Sequence, residues 1–411
     1  MTALGRAAHG RLVGRIVLMG TVSIAASCSS DSSSEPTPSS AADAAVGTVV
    51  STPPSGSIES ADTEPTMVLP ASADMLKDFF PIGVDFQHPR DFERWRRRGV
   101  NSLVRNPFAV DVNTWADAAD AAGFMQIRPP RVPASADVGN PWLLAWMYRD
   151  EPDLVAHQIP TSELDNQYDE WKAIDPHRNV LVNVTGSMNQ HDVDTGEGGD
   201  EWYATYFATA DWVSGDIYPV NRGRPLTIVG DMVDRMQSIV DYQKPVFAVI
   251  EASDYDTTNE GGAPNADQFR AEVWHAIIHG VRGIWYLAVQ VEPNFVYDAV
   301  PEEVATAMPE LHRRITGLQE VLQGPIDPPE LDAHVDGPLE VAWRLDESSA
   351  YFIVLNLSDE ARADEVIELD GIGTATRATV YEERRTIAIT DGAITDDFGP
   401  YEAHVYHVET D

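Results

Sequence analysis

The stretch IVGDMVDRMQSIVDYQKPVFAVIEASD, residues 228–254, places an amphipathic helical pattern directly before a short apolar strand. The segment PVFAVI at 245–250 is apolar throughout and ends at a single carboxylate, Glu251. An uninterrupted apolar run of this length is typical of a strand buried on both faces, as strands of parallel sheets are. The stretch therefore predicts one helix-to-strand unit of an α/β fold.

The same alternation extends in both directions over residues 75–325. Eight apolar runs occur there, and most of them are separated by amphipathic helical patterns. The connection RVPASADVGNP between the third and fourth runs is short and proline-rich, so we expect its helix to be shortened or missing. Strands that alternate with helices pair in parallel, and eight units in about 250 residues match a (β/α)8 TIM barrel.

The pattern changes at residues 326–411, where short alternating strands are separated by turn residues. Six segments carry this pattern: LEVAWRLDE, AYFIVLNLS, DEVIELDG, ATVYEERR, AITDGAIT and EAHVYHVE. Alternation with period two indicates strands with one buried face, as in an antiparallel sheet. We therefore predict a small antiparallel β-sandwich domain after the barrel.

The N-terminal region has the pattern of a secretion signal over residues 1–27. Basic residues come first, and the apolar stretch IVLMGTVSIAAS then leads directly to Cys28, the only cysteine of the chain. The segment AASC resembles a bacterial lipobox, although Ala25 stands where such motifs usually carry leucine. The resemblance implies a lipid anchor at Cys28, and a plain signal peptide is the alternative.

Residues 28–74 are rich in Ser, Pro, Ala, Thr and Asp, a composition that cannot bury a core and indicates a disordered tether. The predicted location is therefore extracytoplasmic, with the protein attached to the cell membrane through Cys28. The chain carries 66 acidic and 28 basic residues, a formal net charge of -38. This charge repels nucleic acid and anionic lipid surfaces as partners. We expect a monomer.

Polar or aromatic residues stand near the end of every predicted barrel strand. The catalytic face of such a barrel is formed by the C-terminal ends of its strands, so these residues are the site candidates. In strand order they are Asp85 and Gln87; Arg105 and Asn106; Arg128; Asp150 and Glu151; Asn183; Asp216 and Tyr218; Glu251 and Asp254; and Trp285 and Tyr286.

Glu151 and Glu251 each follow an apolar strand, LLAWMY and PVFAVI. Burial of a carboxylate there costs several kcal/mol in order of magnitude unless the group is paired or used. Strands four and seven lie on opposite sides of the barrel mouth. Two opposed carboxylates are the groups that glycosidic cleavage needs, one as proton donor and one as nucleophile. Alternatively, Asp150 and Glu151 only favour the dipole of a following helix.

The sequence Asp150-Glu151-Pro152 resembles the strand-four motif of clan A glycoside hydrolases, which usually reads Asn-Glu. The resemblance covers about 75–325. It implies a retaining mechanism with Glu151 as acid/base and Glu251 as nucleophile. The difference is Asp150 in place of Asn, because Asp accepts but cannot donate a hydrogen bond to a sugar hydroxyl. The difference concerns the substrate more than the reaction.

The resemblance also implies roles for further residues. Arg105 matches an arginine that supports the nucleophile, and Tyr218 matches an aromatic residue that hydrogen-bonds the nucleophile. Trp285 matches a tryptophan that forms the floor of the sugar subsite. Trp285 is alternatively a core residue. We expect Asp85, Asn106, Asp150 and Asn183 to contribute substrate contacts as well.

The sequence thus predicts a secreted, lipid-anchored retaining glycoside hydrolase that binds a carbohydrate and requires no metal or organic cofactor. One alternative is a non-catalytic carbohydrate-binding lipoprotein with a degenerate barrel. Another is a metal-dependent hydrolase, since His275 and His279 have the i, i+4 spacing of zinc ligands. Ala276 follows the first histidine where a zinc protease has Glu, so a structural role for the pair is favoured.

Overall fold

The computed structural model describes residues 75–189, 199–258, 261–346 and 348–410. Eight parallel strands form a closed barrel in sequence order, with β8 pairing to β1. This confirms the predicted barrel. The strands are β1 (Ile82–Asp85), β2 (Ser102–Val104), β3 (Met125–Arg128), β4 (Leu143–Met147), β5 (Asn179–Val184), β6 (Trp212–Ile217), β7 (Val246–Glu251) and β8 (Ile284–Leu287).

Helices cover the outside of the barrel. They are α1 (Phe92–Arg97), α2 (Val112–Ala122), α3 (Thr161–Ile174), α4 (Asp200–Ala208), α5 (Ile228–Ile239), α6 (Ala266–Ile278), α7 (Glu302–Gly317) and α8 (Gln319–Leu322). The connection from β3 to β4, which the structure describes throughout, contains only a short 3-10 turn at Ala134–Asp137. The expected shortening of the third helix is therefore confirmed.

The quoted stretch folds as α5 followed by β7, and all six residues of β7 are buried. Phe247 and Val249 pack with Trp285 inside the barrel, whereas Val246, Ala248 and Ile250 belong to the core beneath the helices. Both faces of the strand therefore need apolar side chains, which explains the uninterrupted apolar run. Within the described ranges, no helix combines the length and apolar character of a membrane span.

Two antiparallel sheets follow the barrel and form a β-sandwich domain. The larger sheet has the order β10-β11-β16-β13-β14, and the smaller one the order β15-β12-β9. The strands are β9 (Asp332–Val335), β10 (Leu339–Asp346), β11 (Ser349–Asn356), β12 (Arg362–Asp370), β13 (Arg377–Val380), β14 (Arg385–Ala388), β15 (Ala393–Phe398) and β16 (Ala403–Glu409).

The strand count of this domain differs from the expectation of six. β9 has no counterpart among the six predicted segments, and the segment AITDGAIT is not one strand but contains the turn between β14 and β15. Asp391 and Gly392 both have positive φ angles, 51° and 81°, and so reverse the chain inside an apolar pattern. The larger sheet packs against the barrel, with α6 contacting β10 and β11.

The expected signal peptide, Cys28 and the tether lie outside the described residues. They remain predictions, as do the proposed domain boundaries.

Candidate active site

Charged side chains from neighbouring strands converge at the C-terminal mouth of the barrel. Arg105, just after β2, donates from Nε to Asp85 Oδ1 at 3.0 Å and also forms an ion pair with Asp150 after β4. Asp85 is fully buried, and burial raises its pKa to about 7 even though the Arg105 guanidinium acts in the opposite direction. Arg105 thus bridges two carboxyl groups from two strands.

Asn183 on β5 extends this network to β6. Its Nδ2 donates to Asp150 Oδ1 at 3.0 Å and to Asp216 Oδ1 at 2.9 Å. Its Oδ1 accepts from Ser214 Oγ at 2.7 Å, and Ser214 is its register partner on the neighbouring strand. The amide orientation is therefore fixed, and Asn183 holds two carboxyl groups at defined positions.

Glu151 lies directly after β4 with a φ of 46°, in the left-handed region that a non-glycine residue rarely occupies. Its carboxyl group is hydrogen-bonded to Asp216. Burial raises the pKa of Glu151 most strongly, and the charges of Asp216 and Asp150 raise it further. Burial raises the pKa of Asp216 as well, but only to about 6, because Asn183 and Glu151 hydrogen-bond its charged form. At neutral pH Glu151 therefore keeps its proton and can act as a general acid.

Glu251 at the end of β7 is fully buried. Its oxygens accept hydrogen bonds from the backbone N–H groups of Val220 at 2.5 Å and Asn221 at 2.8 Å, and from the Asn221 side chain. Burial raises its pKa to about 7 despite these bonds. Glu272 on α6, also fully buried, contacts Glu251, and burial together with that neighbouring charge raises the pKa of Glu272 well above its usual range.

The expected partners of Glu251 lie elsewhere. The resemblance implies that Arg105 supports the nucleophile, but Arg105 forms its ion pairs with Asp85 and Asp150. Tyr218 is half-buried, and burial followed by the nearby charges of Asp216 and Glu151 raises its pKa well above the usual range. Arg105 therefore orients Asp85 and Asp150, and Tyr218 lies near the charges around Glu151. The loop after β6 supplies the direct partners of Glu251 instead.

Two further candidates, Trp285 and Asn106, make contacts that are typical of structural residues. Trp285 is 1% exposed and packs inside the barrel at a ring distance of 6.2 Å from Phe247, so it is a core residue here and not an exposed sugar platform. Asn106 is half-buried and donates from Nδ2 to the carbonyl of Val110 at 2.7 Å, which holds its own loop.

The pair His275 and His279 contacts the β-sandwich domain. Their Nε2 atoms lie 2.7 Å and 2.9 Å from Oε2 of Glu340 on β10, and His279 Nδ1 lies 2.7 Å from Asp234. Among the described residues, His275, His279 and Glu340 form a group with the spacing of metal ligands. However, His275 Nδ1 accepts a hydrogen bond from Gly230 N at 3.3 Å, which places the ring proton on Nε2, toward Glu340.

A protonated His275 Nε2 has no lone pair for a metal, so the group fits a hydrogen-bonded clamp better. Burial disfavours charge on His279, but its hydrogen bonds to Asp234 and Glu340 outweigh burial and raise its pKa to about 9. A charged His279 then joins α5 and α6 to β10. The structural interpretation of the histidine pair agrees with these contacts.

Three further residues that support the site were not predicted from the sequence. Asp153 is buried, and both its oxygens accept hydrogen bonds from Thr185 N, at 3.0 Å and 3.1 Å, which ties the loop after β4 to the end of β5. Asn221 and Glu272 contact Glu251 from a loop and a helix. The position of Asn221 carries no local sequence signal. The only signal at Glu272 is that a glutamate stands among the apolar buried residues of α6.

No protein-family model and no curated protein matches this sequence. Solved structures are similar in fold. A GH42 β-galactosidase from G. stearothermophilus aligns with a TM-score of 0.54 at 10% identity, over 81% of this chain and 98% of that one. An α-amylase from Geobacillus thermoleovorans, complexed with acarbose, aligns with a TM-score of 0.52 at 9% identity, over 81% and 99%.

A family 51 α-L-arabinofuranosidase from Bifidobacterium longum also aligns, with a TM-score of 0.51 at 12% identity, over 83% of this chain and 98% of that one. At such identities the similarity establishes the fold alone, a barrel followed by a β domain. Because one fold hosts many activities, function has to rest on the site itself.

Proposed function

We propose that this protein is a secreted, lipid-anchored glycoside hydrolase that cleaves O-glycosidic bonds with retention of configuration. The observation that carries the proposal is the Glu151 carboxyl group, which is kept protonated at the mouth of the barrel by burial and by its acidic neighbours. A protonated carboxyl group in that place is the general acid that departure of a sugar oxygen requires.

In the proposed mechanism, Glu151 protonates the leaving oxygen while Glu251 attacks the anomeric carbon and forms a glycosyl-enzyme. Glu151 then takes a proton from water, which hydrolyses this intermediate. The carboxylate of Asp150, which is partly exposed and held by Arg105, accepts hydrogen bonds from sugar hydroxyl groups, and the fully buried Asp85 holds Arg105 in place. The mechanism requires no metal or organic cofactor.

One observation favours the second candidate function, a carbohydrate-binding lipoprotein without catalysis. Glu251 is fully buried, and Val220 and Asn221 donate hydrogen bonds to its oxygens. Attack by Glu251 therefore requires the loop after β6 to move away from it. If the loop keeps this position when sugar is bound, the barrel binds the sugar without cleaving it.

A mechanism-based label tests the nucleophile. A panel of 2-deoxy-2-fluoro glycosides with good leaving groups is incubated with the protein, and the modified peptide is identified by mass spectrometry. An adduct on Glu251 supports the double displacement. An adduct on Asp150 or Asp216 rules out Glu251 as the nucleophile, and release of product with inverted configuration excludes the retaining mechanism.

The Glu151→Gln variant tests the acid. We expect kcat/KM on natural glycosides to fall by about 10²- to 10⁴-fold, and much less on aryl glycosides whose leaving groups need no proton. The matched control is Glu163→Gln, an exposed position on α3. The binding-protein alternative predicts no turnover by any variant and a sugar affinity that Glu151→Gln leaves unchanged.

The anchor is tested separately. If Cys28 carries the lipid anchor, the Cys28→Ser variant is released from the membrane fraction. If the wild type itself is found in the medium, the plain signal peptide is correct.

A further inference from the structure

Four aromatic side chains form a continuous row at the barrel mouth, which we call the aromatic row: Phe86, Phe108, Phe295 and Tyr297. Phe86 and Phe108 stack at a ring distance of 4.9 Å, and Phe108 meets Phe295 edge-on at 5.8 Å. Phe295 meets Tyr297 edge-on at 4.7 Å. The row joins residues that are nearly 200 positions apart in sequence, so it exists only in the folded chain.

The topology explains why the four rings meet. Phe86 directly follows β1, Phe108 follows β2, and Phe295 and Tyr297 follow β8, and these three strands are neighbours in the barrel. Their C-terminal loops therefore converge on one side of the catalytic face. Phe108 is 76% exposed and Phe295 38% exposed. Large apolar rings that are exposed singly are ordinary, but a contiguous exposed set beside a polar site indicates a binding surface.

The aromatic row leads directly into the charged network of the mouth. The Arg105 guanidinium lies 4.4 Å from the centre of the Phe86 ring, on the face of the ring. The same guanidinium holds Asp85 and Asp150. A molecule bound next to Glu151 therefore reaches the rings of the row without leaving the mouth.

We propose that the aromatic row is a saccharide-binding subsite that stacks against the apolar face of a neutral pyranose unit. This unit adjoins the sugar that is held at Glu151, so its place along the substrate rests on the proposed function. Pyranoses with equatorial hydroxyl groups present C–H bonds on their faces and hydroxyl groups on their edges. Such a face matches exposed rings, and the edges match the carboxylates of the mouth.

The charge of the site narrows the ligand class. Asp85, Asp150 and Asp216 meet a single cation, Arg105, in the network described above, whereas Glu151 is protonated. The chain as a whole carries a formal net charge of -38. An anionic unit such as a uronate is repelled at this mouth, so the proposal takes a neutral saccharide and not an acidic one as the ligand.

The size of the row argues against an interface between two copies of the chain. A stable interface buries roughly 800 Å² on each partner. Phe108 is 76% exposed, Phe295 38% exposed, and the other two rings are half-buried. The row therefore exposes less than the area of two aromatic side chains, roughly 300–500 Å². A pyranose unit, in contrast, needs only one exposed ring on which to stack, and Phe108 is such a ring.

The test measures binding separately from catalysis. Isothermal titration of the full-length Glu151→Gln protein with cellohexaose, xylohexaose and mannohexaose identifies the neutral saccharide that binds. Phe108→Ala in this background is expected to weaken that binding about five- to tenfold. Phe108→Tyr should retain it, and Phe108→Leu, which stays apolar but lacks a flat face, should behave like Phe108→Ala.

The matched control is Tyr242→Ala. Tyr242 is 70% exposed and lies between α5 and β7, at the opposite end of the barrel. We expect no change in affinity from it. The proposal is overturned if no neutral hexasaccharide binds, if Phe108→Ala and Tyr242→Ala bind equally well, or if Phe108→Leu binds like the unsubstituted background. It is also overturned if Phe108→Ala changes only the oligomeric state in size-exclusion chromatography.

These outcomes differ from those that test the proposed function. Affinity that depends on Phe108 without turnover by the wild-type protein refutes the hydrolase and keeps the subsite. Turnover with a KM that Phe108→Ala does not change refutes the subsite and keeps the hydrolase.

Discussion

The carboxyl group of Glu151 after β4 is hydrogen-bonded to the carboxyl group of Asp216 on β6. Two carboxyl groups at such close range cannot both be ionised easily, so they share a proton and titrate as a coupled pair. Glu151 is the group that keeps the proton at neutral pH. This relationship gives the barrel mouth a proton donor.

Replacement of Asp216 by Asn removes the negative charge that helps Glu151 to stay protonated. The pKa of Glu151 should fall, and the basic limb of the pH profile of kcat/KM should move to lower pH. Measurement of kcat/KM from pH 4 to 10 checks this. Asp391→Asn, at an exposed turn of the β domain, is the control and should leave the profile unchanged. An unchanged basic limb in Asp216→Asn would show that the pair does not govern the acid.

Replacement of Arg105 by Met leaves Asp85 and Asp150 without their shared cation. Asp85 is fully buried, so loss of its partner should lower the free energy of unfolding by about 3–5 kcal/mol at pH 8. The loss should shrink at pH 5, where Asp85, with a pKa of about 7, is mostly protonated. Urea denaturation at the two pH values measures both quantities.

Arg313→Met is the control for Arg105, because Arg313 is 60% exposed in its ion pair with Glu382. Its effect should stay within about 1 kcal/mol. Equal losses in the two variants would mean that the Arg105 bridge contributes no more than a surface ion pair.

The protein should be more stable at pH 5 than at pH 8. Burial raises the pKa of Asp85 and Glu251 to about 7 and that of Asp153 to about 6, from ordinary values of 3.8 to 4.5. The folded state therefore binds more protons than the unfolded state between about pH 4 and pH 7. Because of this proton linkage, the free energy of unfolding falls as the pH rises through that range.

Urea denaturation of the wild-type protein across this range checks the direction. Triple replacement of Asp85, Glu251 and Asp153 by their amides should reduce the slope, and the raised pKa values of Glu151 and Asp216 account for the dependence that remains. A free energy of unfolding that rises from pH 5 to pH 8 would contradict the raised pKa values.

The hydrogen bonds of His275 and His279 to Glu340, which join α6 to β10, should contribute to stability with a pH dependence of their own. The pKa of His279 is raised from 6.5 to about 9, so its stabilising contribution is complete below pH 6.5 and is lost as the pH rises through about 9. Glu340→Gln should therefore destabilise the protein by about 1–3 kcal/mol at pH 6 and by less at pH 10. Thermal and urea denaturation at both pH values measure the difference.

Asp336→Asn is the matched control for Glu340→Gln, because Asp336 and its neighbour His334 are both largely exposed, with side-chain exposures of 95% and 68%. It should have no effect at either pH. Destabilisation of the wild-type protein by EDTA would instead show that a metal ion, and not protons, holds His275, His279 and Glu340 together.

The barrel could be predicted because its signal is local. A strand buried on both faces needs a continuous apolar run, and PVFAVI at 245–250 shows it without any knowledge of its neighbours. The polar residues at strand ends were also visible, since they interrupt apolar runs. The short strand β9 was missed because its four residues alternate between exposed and half-buried, with no apolar run to mark them.

The sequence by itself determined at the end of which strand each carboxylate lies, and that these strand ends share one face of a barrel. Only the tertiary structure decided which of them meet. Arg105 pairs with Asp85 and Asp150, Glu151 with Asp216, and Glu251 with the backbone of the loop after β6. The physical reason is that proton affinity depends on depth of burial and on the nearest charges. Both are set by loops and neighbouring strands, which the local sequence pattern does not encode.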